Sequence, residues 1–150
     1  MRRLGLLLVA LALAAPTYVN PVIPGDHPDP TIVRAGGQFL ASATSSAWAP
    51  AFPVFRSRDL VDWQQIGAVL PRPPAWVSGK LWAPELAAEP GRLLAYWSAA
   101  RSGGRPCIAL STAAVATGPW RYRGRVTCPP SGAIDAQPFR DADGSRWLLF

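Results

Sequence analysis

Two aspartates hold corresponding positions in the sequence, and each precedes a strand-like segment with a glycine-marked turn. Asp29 lies in residues 25–30 (GDHPDP), and Asp135 ends residues 132–135 (GAID). Carboxyl groups are common general acids and bases in enzymes. Because the two acids open repeated units, we expect them to converge on one centre. For Asp29, the alternative is a residue that only caps a turn between two prolines.

The sequence contains an internal repeat. A glycine followed by strand-like apolar residues occurs at Gly37, Gly91 and Gly144, with spacings of 54 and 53 residues. A serine landmark recurs at the same interval, at Ser57 and Ser111. Self-similarity at a fixed period is the signature of a repeat architecture, in which each unit needs its neighbours to bury its faces.

Each unit is predicted to contain four short strands, because runs rich in β-branched and aromatic residues alternate with turn residues. The predicted strands of the second unit are residues 81–87, 93–99, 107–111 and 120–127. No stretch after residue 16 has a convincing helical period. We therefore predict an all-β fold, a β-propeller, of which this chain holds blades 1 and 2 and the start of blade 3.

The N-terminus has the pattern of a secretory signal peptide. Arg2 and Arg3 precede an apolar run at residues 4–13, and residues 12–14 read ALA. The apolar run is too short to span a bilayer. We predict a signal peptide at residues 1–14. Residues 15–150 would then form one incomplete domain of a secreted protein that has no membrane contact after cleavage.

The basic residues are dispersed along the chain. There are 15 Lys and Arg against nine Asp and Glu, a formal net charge of +6. A nucleic-acid footprint requires clustered positive charge on one face, and no basic run exists in the sequence. We therefore predict no nucleic-acid partner.

The two cysteines, Cys107 and Cys128, are predicted to form a disulfide. An even cysteine count in an exported protein usually indicates pairing. A hairpin between the third and fourth strands of the second unit would bring them face to face. The alternative is a pair of buried free thiols.

Four motifs, taken in order, resemble those of glycoside hydrolase family 43. They are residues 20–34 (NPVIPGDHPDPTIVR), 55–63 (FRSRDLVDW), 81–86 (LWAPEL) and 134–139 (IDAQPF). Together they cover nearly all of the chain after the signal segment, and their joint order is far more specific than any one motif. The resemblance implies a five-bladed β-propeller that hydrolyses arabinose- or xylose-containing plant polysaccharides. Local similarity after Cys107 favours arabinan over xylan side chains.

The resemblance also implies roles for the two aspartates. Asp29 matches the general base, and Asp135 matches the carboxylate that orients the general acid and raises its pKa. The general acid itself, a Glu, would come from a part of the family sequence beyond Phe150. An inverting glycosidase needs both a base and an acid, so we expect residues 15–150 alone to be inactive.

Glu85 is a second candidate for the acid, because it opens the second unit in residues 82–85 (WAPE). The family does not have its acid at this position. A role in the wall of the site or in capping a strand is the favoured interpretation of Glu85.

Three further residues are candidates for contact with sugar. Trp48 and Trp82 lie in non-repeating or strand-opening positions, where a flat aromatic face could stack on a sugar ring, and His27 is close to Asp29 in sequence. His27 is expected mainly to shape the loop that presents Asp29. The other tryptophans considered are predicted to pack in the core: Trp63, Trp97, Trp120 and Trp147.

We predict no cofactor and no metal site, since His27 is the only histidine and has too few companions to build one. The predicted partners are a polysaccharide or oligosaccharide substrate and the remaining blades of the same protein. Two other functions stay open: a non-catalytic propeller that binds carbohydrate, and a structural or protein-interaction propeller.

Overall fold

The computed structural model describes residues 17–150, so the predicted signal segment 1–14 lies outside the described residues. Every named secondary-structure element in these residues is a β-strand, in agreement with the predicted all-β class, and there are ten of them. They are β1 (Thr31–Ala35), β2 (Gln38–Ser42), β3 (Ala51–Ser57), β4 (Gln64–Leu70), β5 (Val77–Glu89), β6 (Arg92–Arg101), β7 (Gly104–Ala113), β8 (Arg121–Thr127), β9 (Gln137–Arg140) and β10 (Arg146–Leu149). Within residues 17–150, no helix is long and apolar enough to cross a membrane.

The strands form three antiparallel sheets, each following the chain order. Sheet 1 is β1-β2-β3-β4, sheet 2 is β5-β6-β7-β8, and sheet 3 is the pair β9-β10. The four strands predicted for the second unit correspond to β5 to β8; the first three extend beyond the predicted bounds at both ends, and the fourth begins one residue later than predicted. A four-stranded antiparallel meander is the unit from which propeller blades are built.

The repeated glycine marks the first hairpin of each complete sheet. Ala35 pairs with Gln38, and Glu89 pairs with Arg92, so each hairpin has a two-residue loop. The second loop residue has φ of 76° at Gly37 and 75° at Gly91. A side chain is disfavoured in this left-handed conformation, which explains why glycine recurs there.

Sheet 1 packs on sheet 2 through one apolar core centred on Trp97. Trp97 is completely buried, and its ring centroid lies 5.8 Å from Phe52 and 5.8 Å from Trp76, which it stacks at 10°. Its indole Nε1 donates a hydrogen bond to Ser111 Oγ at 3.0 Å. Burying the ring with its N–H satisfied stabilises the contact between the sheets. This packing also brings β1 against β5.

The tryptophan predictions are correct in part. Trp97 and Trp120 are buried, and Trp63 is half-buried. The core role predicted for Trp147 is wrong for the described chain, because its side chain is 59% exposed. Trp147 pairs with Phe139 across β9 and β10, and Phe139 is also exposed. The two side chains share a face of sheet 3 that is largely open to solvent.

The predicted disulfide between Cys107 and Cys128 is present. Cys107 lies within β7, and Cys128 directly follows β8. The neighbouring pair Ile108 and Thr127 faces each other in the ladder, so the two cysteines are opposite each other. Their Cα atoms are 4.4 Å apart, and the bond ties the last two strands of sheet 2 together.

Replacing both cysteines with alanine should lower the free energy of unfolding by about 3 kcal/mol. The reason is that the bond restricts a loop of about 20 residues in the unfolded chain. Urea unfolding of the double variant and of the unchanged protein, each with and without reductant, measures the difference. Reductant should destabilise only the unchanged protein. A difference below about 1 kcal/mol would contradict the expectation.

Candidate active site

Three carboxyl groups from three sheets line one open cavity of about 220 Å³. Asp29 precedes β1, Glu85 lies in β5, and Asp135 precedes β9. The lining residues are Asp29, Pro30, Ala83, Pro84, Glu85, Asp135, Ala136 and Gln137. The structure therefore brings together the two aspartates, which are more than 100 residues apart in the sequence. It adds Glu85 to the same cavity.

The same unusual backbone conformation occurs just before sheets 1 and 3 and at a pairing irregularity within β5 of sheet 2. Asp29, Ala83 and Asp135 have φ of 50°, 42° and 58°. Left-handed residues other than glycine are uncommon, and aspartate is among the side chains that tolerate the conformation best. Such outliers cluster at functional sites, where the surrounding structure holds them in position. Two of these three residues are the candidate site aspartates, Asp29 and Asp135.

Asp29 is held by Thr44, which follows β2. The Thr44 hydroxyl donates to Asp29 Oδ2 at 2.8 Å, and the Thr44 backbone N–H donates to the carbonyl of Pro28 at 2.9 Å. The same hydroxyl oxygen accepts the backbone N–H of Ala83 at 2.7 Å. Thr44 is buried, whereas Asp29 is exposed to the cavity. The carboxylate is therefore anchored through one oxygen and open on the other.

Asp135 is anchored through its backbone. Its N–H donates to the hydroxyl of the fully buried Ser98 at 3.1 Å. Upstream, Ala133 N–H donates to the carbonyl of Pro106 at 3.0 Å. Gly132 has φ of 85°, and a side-chain carbon there would lie 3.1 Å from Pro106 Cδ. Glycine therefore permits the close approach that leads the chain into Asp135.

Glu85 is half-buried in the wall of the cavity, and burial raises the pKa of its carboxyl group. Hydrogen bonds from Thr31 and Gln137 act in the opposite direction, because they favour the charged form. Gln137 Nε2 lies 3.4 Å from Glu85 Oε1. Thr31 and Gln137 each lie two residues after a candidate aspartate. Glu85 therefore links the strands that begin after Asp29 and Asp135.

The three residues predicted to contact sugar lie outside the lining of this cavity. Trp82 is half-buried in β5, next to the lining residue Ala83. Trp48 is 79% exposed in the connection between β2 and β3. His27 contacts Phe55 edge-on at 5.1 Å, and its Nε2 lies 3.2 Å from the carbonyl of Pro24. These contacts suit a residue that shapes the loop before Asp29.

Four residues of the site were missed by sequence reasoning: Thr31, Thr44, Ser98 and Gln137. The internal repeat carried a signal for two of them. Thr44 and Ser98 are 54 residues apart, the same interval that separates Gly37 from Gly91. Aligning the two units would have identified both hydroxyls as occupants of one repeated position.

Among the described residues 17–150, no three His, Cys, Asp or Glu side chains are grouped so that they could hold a metal ion.

Comparison with known proteins gives one consistent result. The profile of "Glycosyl hydrolases family 43" matches residues 18–150. A xylosidase/arabinosidase of Butyrivibrio fibrisolvens is 32% identical over 138 residues, which cover 87% of this chain and 26% of that protein. The chain therefore spans about a quarter of the length of this curated relative.

Solved structures give the same picture. A xylan β-1,4-xylosidase from Bacillus halodurans superposes with a TM-score of 0.73 at 31% identity, covering 88% of this chain and 27% of that one. A Bacillus subtilis arabinanase superposes with a TM-score of 0.68 at 26% identity, covering 81% of this chain and 46% of that one.

Glu85→Gln should make stability less dependent on pH. A carboxyl group whose pKa is raised by folding stabilises the folded state most when it is protonated. That contribution is lost as the pH rises from the ordinary value of 4.5 through the higher value in the folded protein. The variant should therefore gain in stability relative to the unchanged protein over this window. The gain should be roughly a few tenths of a kcal/mol, because half of the side chain stays in water.

Thermal midpoints measured between pH 4 and pH 7 test this expectation. Asp26→Asn is the matched control, because Asp26 is exposed and lies outside the cavity. A stability difference between Glu85→Gln and the unchanged protein that is constant across the window would contradict it.

Proposed function

Since this chain belongs to glycosyl hydrolase family 43, we propose that its parent protein is a secreted O-glycosyl hydrolase. It acts on arabinose- or xylose-containing plant cell-wall polysaccharide by an inverting mechanism. The observation that carries the proposal is the convergence of Asp29 and Asp135 on one cavity. The architecture is a five-bladed β-propeller, in which sheets 1 and 2 are the first two blades and sheet 3 begins the third.

Asp29 is the general base. It removes a proton from the water molecule that attacks the anomeric carbon, while the bond to the leaving oxygen breaks. The Thr44 hydroxyl donates a hydrogen bond to Oδ2 of Asp29, which leaves Oδ1 free to accept the proton. Asp29 is exposed within the cavity, so water can reach it.

Asp135 orients the general acid and keeps it protonated. A carboxylate near a second carboxyl group disfavours ionisation of the second group by like-charge repulsion. The acid is a Glu from a region of the parent protein that follows Phe150, and it protonates the leaving sugar oxygen. An inverting pair is held ~6.5–9.5 Å apart so that water fits between the base and the sugar. The short coverage of the relatives supports a longer parent.

The relatives taken together support the proposed substrate class. Their names include xylosidase, arabinosidase and arabinanase activities, so the proposal names both pentoses. Trp82 and Trp48 offer aromatic faces for stacking on sugar rings. Export of the parent through the segment at residues 1–14 fits a substrate outside the cell.

Asp29→Asn in the parent protein should lower kcat by about 10²–10⁴-fold, because the base is lost. Asparagine tolerates the left-handed backbone of position 29, so the loop should keep its shape. Dissociation constants for arabino- and xylo-oligosaccharides, measured by calorimetry, should change little. Asp26→Asn in the same loop is the control and should retain turnover.

Full turnover in Asp29→Asn would remove Asp29 from the role of base. Sugar binding by a parent protein without any turnover would favour the non-catalytic propeller.

Glu85→Gln in the parent protein should keep kcat within roughly fivefold, both for an aryl pentoside and for an oligosaccharide. A wall residue acts equally on both substrates. Loss of a general acid would reduce oligosaccharide hydrolysis by about 10²–10⁴-fold, because a sugar oxygen must be protonated to leave. Loss of the acid would leave hydrolysis of the aryl pentoside nearly unchanged, because an activated aryl group can leave without being protonated. Steady-state kinetics on the two substrates decide between the roles, and a selective loss on the oligosaccharide would identify Glu85 as the acid.

A further inference from the structure

The Thr44 hydroxyl joins the candidate base to the next sheet. It accepts the Ala83 N–H at 2.7 Å and donates to Asp29 Oδ2 at 2.8 Å. Both contacts are short, and the side chain is buried. The Ala83 N–H points at the hydroxyl oxygen, so the single hydroxyl proton must point elsewhere. The hydroxyl proton is therefore donated to the carboxylate of Asp29.

The second unit has the same hydroxyl-to-backbone contact but no carboxylate beside it. Ser98 is 54 residues after Thr44, and its hydroxyl accepts the N–H of Asp135 at 3.1 Å. Both hydroxyls therefore accept a backbone N–H from a left-handed residue of the following unit, Ala83 within β5 and Asp135 before β9. Within sheet 2, however, the residue corresponding to Asp29 is Ala83, which has no carboxylate to receive a proton. The Ser98 hydroxyl therefore makes the contact with a backbone N–H but has no carboxylate of this kind to hold.

The comparison separates two contributions of Thr44. One is shared with Ser98 and holds neighbouring sheets together. The other is particular to Thr44 and fixes one oxygen of Asp29. A carboxylate anchored by a charge-assisted hydrogen bond has a defined rotamer. The remaining oxygen then keeps a constant direction towards the substrate water.

We propose that Thr44 is a positioning residue for catalysis, which orients the Asp29 carboxylate and couples it to the opening strand of sheet 2. The proposal rests on the proposed function, because it requires Asp29 to be the base. Thr44 does not touch the substrate, and its effect passes through Asp29. A contact of this kind acts mainly on kcat, because misorienting a base by a small distance affects the chemical step more than ground-state binding.

Three variants of the parent protein test the proposal. Thr44→Val keeps the shape and removes the hydroxyl, Thr44→Ser keeps the hydroxyl, and Ser98→Ala removes the corresponding hydroxyl of the second unit. Thr44→Val should lower kcat by roughly 10- to 100-fold, with KM changing less than about threefold. Thr44→Ser should restore most of kcat. Ser98→Ala is the reference for stability only, because Ser98 also anchors Asp135, and it should lose thermal stability comparably to Thr44→Val.

The proposal is overturned if Thr44→Val keeps kcat within about threefold, if the loss appears in KM, or if Thr44→Ser is as impaired as Thr44→Val. If Thr44→Val does not fold, Thr44→Cys replaces it, because cysteine is small, suits burial and donates only weakly. An unchanged kcat in folded Thr44→Cys would also overturn the proposal. The Asp29→Asn variant distinguishes failure of the proposed function from failure of the proposed role of Thr44. Activity in Asp29→Asn defeats the proposed function, whereas an inactive Asp29→Asn with an active Thr44→Val defeats only the role of Thr44.

Discussion

The packing of sheet 1 on sheet 2 is the constraint on which the site depends. Asp29, Glu85 and Asp135 lie in or just before three different sheets, so no single hairpin can bring them together. The apolar core around Trp97 brings β1 against β5, and a smaller cluster that includes Ile108 and Ala136 joins sheet 2 to the segment before sheet 3. Apolar burial supplies the attraction, but it is non-directional. Directed hydrogen bonds between sheets must therefore set the positions of the carboxyl groups.

The hydrogen bonds between units repeat one arrangement, in which a hydroxyl accepts a backbone N–H. Each unit has a left-handed residue, Asp29 before β1, Ala83 at an irregularity within β5 and Asp135 before β9. The N–H of Ala83 and the N–H of Asp135 each donate to a buried hydroxyl of the preceding unit. These N–H groups are part-buried, and leaving either without a partner would cost stability, so the hydroxyls contribute to stability whatever else they do. The repeat thus supplies a rigid frame, and substitutions at single positions such as Asp29 and Asp135 give the frame its carboxylates. Glu85, half-buried between Thr31 and Gln137, adds a third acid whose environment differs from both.

The sequence predicted well whatever depends on local pattern. The strands of the second unit and the Cys107–Cys128 bond follow from alternation, turn residues and hairpin register, which act over short distances along the chain. The two aspartates could be found because they precede repeated turns. Trp147 was assigned wrongly because an apolar residue inside a strand does not reveal whether its sheet face is covered. Thr44 was missed because its contact with Ala83 spans 39 residues and two sheets.

By itself, the sequence determined the all-β class, the repeat, the disulfide and the family to which this chain belongs. These properties are encoded in residue type and spacing, which are readable without knowing how distant segments meet. The tertiary structure decided that Asp29 and Asp135 share a cavity, that Glu85 joins them there half-buried, and that Thr44 anchors one carboxylate oxygen. Burial, desolvation and hydrogen-bond direction depend on which sheets pack together, and that is a property of the assembled chain rather than of any segment.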